Sequence, residues 1–523
     1  RHRREVLGLR TPACRQDANG SPLVGLPSLM MRDRCGLWVP GPVAAAALAL
    51  VAGCSASTKA PIPAAVGVVS GVVQPNVLVL FADDLRRDGV AALGNANLRT
   101  PHLDRLVNEG LSFDKAYVAG SIHGAVCMPS RAMLMTGRHF NELPLTITST
   151  WSVPAEERGL CEYPTLFEVF DSAGYETFMT GKWHNGAPML RRGLGGGGSI
   201  FLGGMSDHDK VPIHDFDPTG KYSSGGKRVG KSFSSQLFAD QAIDFLESRE
   251  PGDDPFFTYV AFTAPHDPRM APKEWEAQYP PSDSDVPPNF MSGHPYPIGD
   301  MHVRDEELAA FPRTREEIAQ HVASYHAMIA HLDDQVGRIL DALEQSGQAE
   351  NTIIAFVGDN GLAVGQHGLL GKQNLYEHSS GVPFVLSGPG IGHGTSDALT
   401  YIHDLFPTLC EIAGIEVPES VTARSLTTEV AEAGGTRPNG KAVPKREFLV
   451  TSYGVGATAP AKDGQMRAVT DGRYKLIHSK FQEHDVTRLY DLDSDPWELT
   501  DLSLNPELSA MRRKLESELT SVW

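Results

Sequence analysis

The sequence predicts an α/β protein: a large, mostly parallel sheet flanked by helices, followed by a smaller C-terminal α+β domain. Continuous apolar runs, of which Asn76-Val77-Leu78-Val79-Leu80-Phe81-Ala82 is the clearest, suit strands buried on both faces. Segments of helical spacing alternate with these runs. Such alternation requires crossover connections and hence parallel pairing. A polar, glycine-containing linker at residues 430–446 then precedes a segment of different pattern. That segment contains Tyr474-Lys475-Leu476-Ile477 and Arg488-Leu489-Tyr490-Asp491-Leu492-Asp493 and closes in a helix.

Taken in order, residues 1–30 show no structural pattern and read as an over-extended start. From Met31 the chain runs Arg32-Asp33-Arg34, an apolar stretch Val43–Val51, then Ala52-Gly53-Cys54. A charged start, a short apolar core and small residues describe a secretory signal peptide over 31–53. The apolar stretch is too short to span a bilayer as an ordinary helix. Val51-Ala52-Gly53-Cys54 resembles a bacterial lipobox, which implies a lipid anchor on Cys54 and an exported, periplasmic or cell-surface lipoprotein. Residues 54–75, small and apolar with prolines, read as a tether.

The first strand at 76–82 opens a large α/β domain expected over 76–430. Thr100-Pro101 has the form of an N-cap followed by proline at the first helical position. Leu103, Leu106 and Val107 keep helical spacing until Gly110. A helix around Thr165–Ser172 ends near Gly174, and Tyr175–Thr180 reads as the next strand. Phe256–Thr263 is another strand. Val322, Tyr325, Ile329, Leu332, Val336, Ile339 and Leu343 mark a long helix ending at Gly347, and Thr352–Val357 is the strand after it. Arg191–Gly204, rich in glycine, and Tyr279–Arg315, rich in proline and charge, are expected to be surface insertions. Residues 440–523 form the small C-terminal domain.

A formal charge of −18 over 523 residues argues against general nucleic-acid binding, which needs a basic face. It also means that any anion pocket must be locally basic. Six cysteines in so long a chain are too few for a disulfide framework. With residues 1–53, which hold Cys14 and Cys35, removed, and with Cys54 lipidated and Cys127 taken separately below, only Cys161 and Cys410 remain as ordinary thiols, whose pairing the sequence leaves open.

Four predicted strands end in polar residues. Asp83-Asp84 follow the first strand, Lys182 and His184 the strand at 175–180, His266 the strand at 256–263, and Asp359-Asn360 the strand at 352–357. Ligands of open α/β sheets bind beyond the carboxyl ends of the strands, so these groups converge on one rim. Asp83, Asp84, Asp359 and Asn360 offer only oxygen donors, which suits Ca²⁺ or Mg²⁺ rather than zinc. Lys182 and Lys372 add fixed positive charge, and His184 and His266 add imidazoles.

Cys127 lies in Cys127-Met128-Pro129-Ser130-Arg131, with Thr136-Gly137-Arg138 beyond. Pro129 suits a first helical turn, so Cys127 is expected just before a helix N-terminus, where the free N–H groups and Arg131 lower a thiol pKa. Cys-x-Pro-Ser-Arg followed by Thr-Gly-Arg resembles the signature of the formylglycine-dependent sulfatases, of the alkaline-phosphatase-like superfamily. The resemblance runs over about 75–415 and includes Gly365-Gln366-His367-Gly368-Leu369-Leu370-Gly371-Lys372.

That resemblance implies that a maturase oxidises Cys127 to Cα-formylglycine, whose hydrate attacks sulfur. It also implies that Asp83, Asp84, Asp359 and Asn360 bind the metal. Arg131 and Lys182 would hold the hydrate, His184 would be the base, and His266 and Lys372 would bind sulfate and assist the leaving alcohol. The implied substrate is a sulfated carbohydrate. Choline or aryl sulfates, phosphate or phosphonate esters, and a non-catalytic glycan-binding role remain open. Gly381 departs from the pattern, since many relatives carry arginine before the Val-Pro pair.

Overall fold

The computed structural model describes residues 74–250, 252–298, 301–436, 442–454, 464–481 and 483–521. The expected signal peptide, the lipobox Cys54 and nearly all of the tether lie outside them. Eight strands make the central sheet: β1 (Asn76–Ala82), β2 (Leu111–Phe113), β3 (Glu176–Lys182), β4 (Gly196–Phe201), β5 (Phe256–Ala261), β6 (Thr352–Gly358), β7 (Phe384–Ser387) and β8 (Gly394–Ser396). Their order across the sheet is β8-β2-β7-β6-β1-β5-β3-β4. Only β7 runs against the rest, pairing antiparallel with β6 and β2.

β1 is central because it is apolar on both faces. Val77, Val79 and Phe81 enter one core layer, and Leu78, Leu80 and Ala82 enter the other. The first layer is covered by α2 (Cys127–Thr136) and α3 (Leu166–Ser172). The second is covered by α1 (Pro101–Glu109), α4 (Ser234–Glu247) and α5 (Arg315–Gln345). Among the described residues, no helix is long and apolar enough to cross a membrane.

Two local expectations change. Thr100 does not cap α1 with its side chain. Its hydroxyl accepts from Ala91 N and donates to Asp104. The Asp333 carboxylate of α5 takes the cap instead, accepting from Leu103 N at 2.7 Å and His102 N at 3.3 Å. The glycine-rich stretch at 191–204 is not a surface insertion, because it contains the edge strand β4, parallel to β3. Its glycines answer close packing: a Cβ on Gly198 would meet the Gln241 side chain of α4 at 1.9 Å, and one on Gly197 would meet Met179 O at 2.7 Å. By contrast, the described residues of 279–314 are irregular apart from short 3-10 turns, as their proline and charge content predicts.

The C-terminal part is a sheet of β9 (Leu449–Gly454), β10 (Gly464–Thr470), β11 (Tyr474–Phe481) and β12 (His484–Asp491), backed by α6 (Ser509–Ser521). Val450, Val469, Leu476 and Leu489 pack under Leu515 and Leu519. β9 also pairs with the short strand Gly120–Ser121, which precedes Cys127 in the chain. Cys127, Cys161 and Cys410 are all free thiols.

β3 is irregular at its end. Its register with β4 shifts between Thr180 and Gly181, where Gly181 has φ 96°. A Cβ at Gly181 would stand 1.9 Å from the carbonyl oxygen of Ala261. Both φ and the close approach demand glycine, and this kink directly precedes Lys182. Gly181→Ala is expected to destabilise the protein by about 2–4 kcal/mol. Urea unfolding would show it, and an unchanged midpoint would contradict the packing described.

Candidate active site

The strands β6, β1, β5 and β3 are consecutive in the sheet, and each ends at the same rim. β1 delivers Asp83 and Asp84, β6 delivers Asp359 and Asn360, β3 delivers Lys182 and His184, and β5 leads into His266. Cys127 enters from the start of α2, and Lys372 from the loop after β6. The structure therefore brings these residues together at one rim. Asp84 (φ 64°) and His184 (φ 73°) adopt the left-handed conformation, which non-glycine residues take only at a cost.

The cluster is held by charge. Lys182 Nζ donates to Asp83 Oδ2 at 2.5 Å and lies 3.5 Å from Cys127 Sγ. Lys372 Nζ donates to Asp84 Oδ1 at 2.6 Å, and Asn360 Nδ2 donates to the same oxygen at 2.7 Å. His266 Nε2 is 3.6 Å from Asp84 Oδ2. His184 Nδ1 is 3.4 Å from Cys127 Sγ. The fully buried Arg131 guanidinium donates to Asp359 Oδ2 at 3.2 Å and to the Lys182 carbonyl at 2.9 Å, and lies 3.6 Å from Asp83. These contacts make it a positioning residue that ties α2 to the ends of β3 and β6.

Cys127 is the first residue of α2, so Pro129 is third and not at the helix start. Burial pushes its thiol up in pKa, although Lys182 and Lys372 pull the other way. The lowered thiol pKa expected from the helix end is therefore not found. Burial disfavours charge on Asp83 too, but Lys182, His266, Arg131 and Lys372 together hold its carboxyl well below the usual range. Burial raises Asp359 and Asp84, and each carboxylate's repulsion by Asp83 adds to the shift. Burial, reinforced by Lys182 and Arg131, drives the His184 imidazole well below its ordinary pKa; His266, by burial and Lys372, falls to about 3. Both rings are neutral near pH 7.

The oxygen donors fit a hard divalent cation. Single carboxylate oxygens of Asp83, Asp84 and Asp359 lie within 4.8 Å of one another. Asp83 Oδ1 and Asn360 Oδ1 are buried without a hydrogen-bond partner, an arrangement that leaves acceptor capacity for an ion.

A cavity of about 300 Å³ opens over Cys127, lined by His184, His266 and Lys372. Its outer wall brings residues that sequence reasoning missed: Met205, Arg304, Asp305 and Gln373. Gln373 Nε2 donates to Asp305 Oδ2 at 2.8 Å. Burial opposes ionisation of Asp305, yet Lys372 and Arg304 hold it down at about 2. Arg304 remains 42 % exposed at the mouth. The charge of the 279–315 insertion was the sequence signal for Arg304 and Asp305, and Met205 and Gln373 had none. At Gly381, a Cβ would stand 2.6 Å from the Arg87 guanidinium, which pairs with Glu377 at 2.7 Å. A guanidinium thus occupies this position from another point in the chain.

The family model described as Sulfatase matches residues 75–415, which span the whole of this rim. The chain belongs to the sulfatase family. A second model, N-sulphoglucosamine sulphohydrolase C-terminal, matches residues 365–523. The sulfatase is 24% identical to the N-acetylglucosamine-6-O-sulfatase of Bacteroides thetaiotaomicron, over 84% of this chain and 85% of that one. It is 28% identical to the choline-sulfatase of Rhizobium meliloti, with 83% of each chain covered. Its fold is similar to that of an enzyme solved with its substrate D-glucosamine-2-N,6-O-disulfate, with TM-score 0.67, 23% identity and coverage of 86% and 97%. A phosphonate monoester hydrolase of Agrobacterium radiobacter shares the fold at TM-score 0.64 and 23% identity, over 86% and 95%. The sulfatase is accordingly a sulfuric ester hydrolase.

Arg131→Met is expected to cost about 3–5 kcal/mol, because it leaves the buried Asp359 carboxyl without its cationic partner and Asp83 with Lys182 alone. Denaturant unfolding of the variant tests this. A loss below about 1 kcal/mol would mean that the guanidinium is not their counter-charge.

Proposed function

We propose that this sulfatase hydrolyses sulfate esters of sulfated saccharides, using the hydrate of a formylglycine formed from Cys127. The observation that carries the proposal is the meeting of Cys127 Sγ with Lys182 Nζ and His184 Nδ1 at the floor of a cavity otherwise lined by His266 and Lys372. Sγ marks where the reacting side chain enters the site. Once the aldehyde is present, its hydrate supplies one hydroxyl to accept the sulfuryl group and a second whose deprotonation expels sulfate.

Asp83, Asp84, Asp359 and Asn360 would hold calcium, with magnesium as the alternative. Such an ion supplies fixed positive charge against the sulfuryl oxygens. The chain's own residues do the rest. Lys372 and His266, both beside Asp84, line the cavity and bind sulfate oxygens. The neutral His184 ring accepts a proton at the side chain of residue 127. Lys182, fixed between Asp83 and that side chain, orients it and offsets negative charge. Arg131 acts through the carboxylates and the Lys182 carbonyl.

The saccharide reading draws support from two relatives: the N-acetylglucosamine-6-O-sulfatase and the enzyme solved with glucosamine disulfate. It also draws on Arg304 at the cavity mouth, which can meet a second anionic group of a sugar. We further propose export through the 31–53 signal, with a lipid anchor at Cys54 and maturation by a formylglycine-generating enzyme.

Cys127→Ser is expected to keep the fold and lose about 1000-fold or more in kcat. Sulfate release from sulfated mono- and oligosaccharides, choline sulfate, an aryl sulfate and matching phosphate esters is the decisive assay. Normal turnover by the serine variant would refute the aldehyde nucleophile. Faster release of phosphate than of sulfate would move the assignment to phosphorus esters. Chelation is expected to abolish turnover, and calcium or magnesium to restore it. Full activity of a verified metal-free preparation would refute the ligand assignment. Arg304→Ala is expected to raise KM about 10-fold for a disulfated saccharide and to leave KM for an aryl sulfate within about 2-fold, reflecting loss of a charged hydrogen bond. Equal effects on both substrates would remove Arg304 from specificity.

A further inference from the structure

The loop after β6 carries a second convergence of donors that the sulfatase chemistry does not use. His367 belongs to the Gly365–Lys372 motif, His378 follows Tyr376-Glu377, and Glu498 comes from the turn beyond β12. One side-chain donor atom of each lies within 4.8 Å of the other two. His367 and Glu498 are buried, at 5% and 2% exposure, and His378 is half-buried. His367 Nε2 and His378 Nε2 are buried without a hydrogen-bond partner, and Glu498 Oε1 has only the ion pair with Lys475 Nζ at 3.2 Å. One such orphaned atom costs about 1–3 kcal/mol. Two in one cluster, beside a buried carboxylate oxygen, require a common explanation.

We propose that His367, His378 and Glu498 form a second metal site, selective for a first-row divalent transition ion of the zinc class. Two imidazoles and one carboxylate are a known zinc donor set, completed by a water in the fourth position. Imidazole nitrogen also separates this site from the oxygen-only set of Asp83, Asp84, Asp359 and Asn360, so the two sites sort calcium and zinc by ligand chemistry. The donors make no hydrogen bonds to each other, yet they are close enough for one ion to bridge them.

Their surroundings hold them in place. Glu498 Oε2 accepts the Glu377 N–H at 2.7 Å, which leaves Oε1 for the ion. The His367 ring stacks on Tyr376 at 4.0 Å, and Tyr376 stacks on His378 at 5.6 Å. Fixed rings and a hydrogen-bonded carboxylate are the support that metal ligands need. Glu498 itself has φ 54°, a strained conformation for a buried side chain. A cavity of about 500 Å³, lined in part by His378, Glu498, Glu377 and Asp88, gives an ion a way in. Lys475 Nζ lies 3.2 Å from Glu498 Oε1 and 2.8 Å from Glu377, so the ion shares a partly compensated carboxylate. The expected affinity is correspondingly below that of an unshared set. The ion's role is to clamp the C-terminal segment onto the loop that carries Lys372.

The test uses the full chain without a histidine tag, calcium-replete and stripped of transition metals, and titrates it with Co²⁺ or Zn²⁺ alone. Wild type is expected to bind one equivalent, to develop visible Co²⁺ ligand-field bands that Zn²⁺ but not Ca²⁺ removes, and to gain thermal stability. His378→Gln and Glu498→Gln are expected to lose the bands and the stabilisation while retaining the far-ultraviolet circular dichroism of the fold. Bands that persist unchanged in both variants would overturn the site and assign the binding to other histidines. If the variants do not fold, wild type decides. X-ray absorption at the zinc edge showing two imidazoles supports the site, and absence of Co²⁺ bands or of imidazole scattering overturns it. None of these readouts depends on turnover of a sulfate ester.

Discussion

The structure depends on one buried charge cluster at the carboxyl ends of β6, β1, β5 and β3. Asp83, Asp84 and Asp359 face Arg131, Lys182 and Lys372, all with almost no exposure. None of these ions would be tolerable there alone, since each must replace its lost hydration with opposite charge and hydrogen bonds. The partners come from five separate points in the chain. Helix α2, the end of β3 and the loop after β6 are therefore fixed by electrostatics as well as by packing. At this rim the strained residues Asp84 and His184 persist because this framework holds them.

The same constraint explains the site's chemistry. Burial that raises the Cys127 thiol also keeps His184 and His266 neutral, so the cavity offers acceptors and fixed cations together. An anionic ester entering it meets Lys372 and His266 directly, despite the overall charge of −18. The acidic surface and the basic pocket are compatible because short-range fields in a low-dielectric cleft outweigh screened surface charge.

The strands that build the rim were legible because their apolar runs satisfy burial on both faces, a demand that few other arrangements meet. Their polar ends were legible for the same reason: the change from apolar to Asp, Lys, His or Asn marks where each strand leaves the core. The edge strand β4 was not legible, because its glycines encode closeness to α4 and Met179 and leave no side-chain pattern. Thr100 misled for a related reason, since a better acceptor, Asp333, arrives from more than two hundred residues away.

By itself the sequence determined the α/β class, the strands that carry the site, and the residues from Asp83 to Lys372 that meet there. These depend on local burial and on the position of polar groups relative to strand ends. Tertiary structure alone decided the direction of the Cys127 pKa, the use of Arg131 as a brace, the wall formed by Arg304, Asp305 and Gln373, and the meeting of His367 and His378 with Glu498. Each of these depends on which distant charges and donors lie within a few ångströms, and chain separation carries no signal of that.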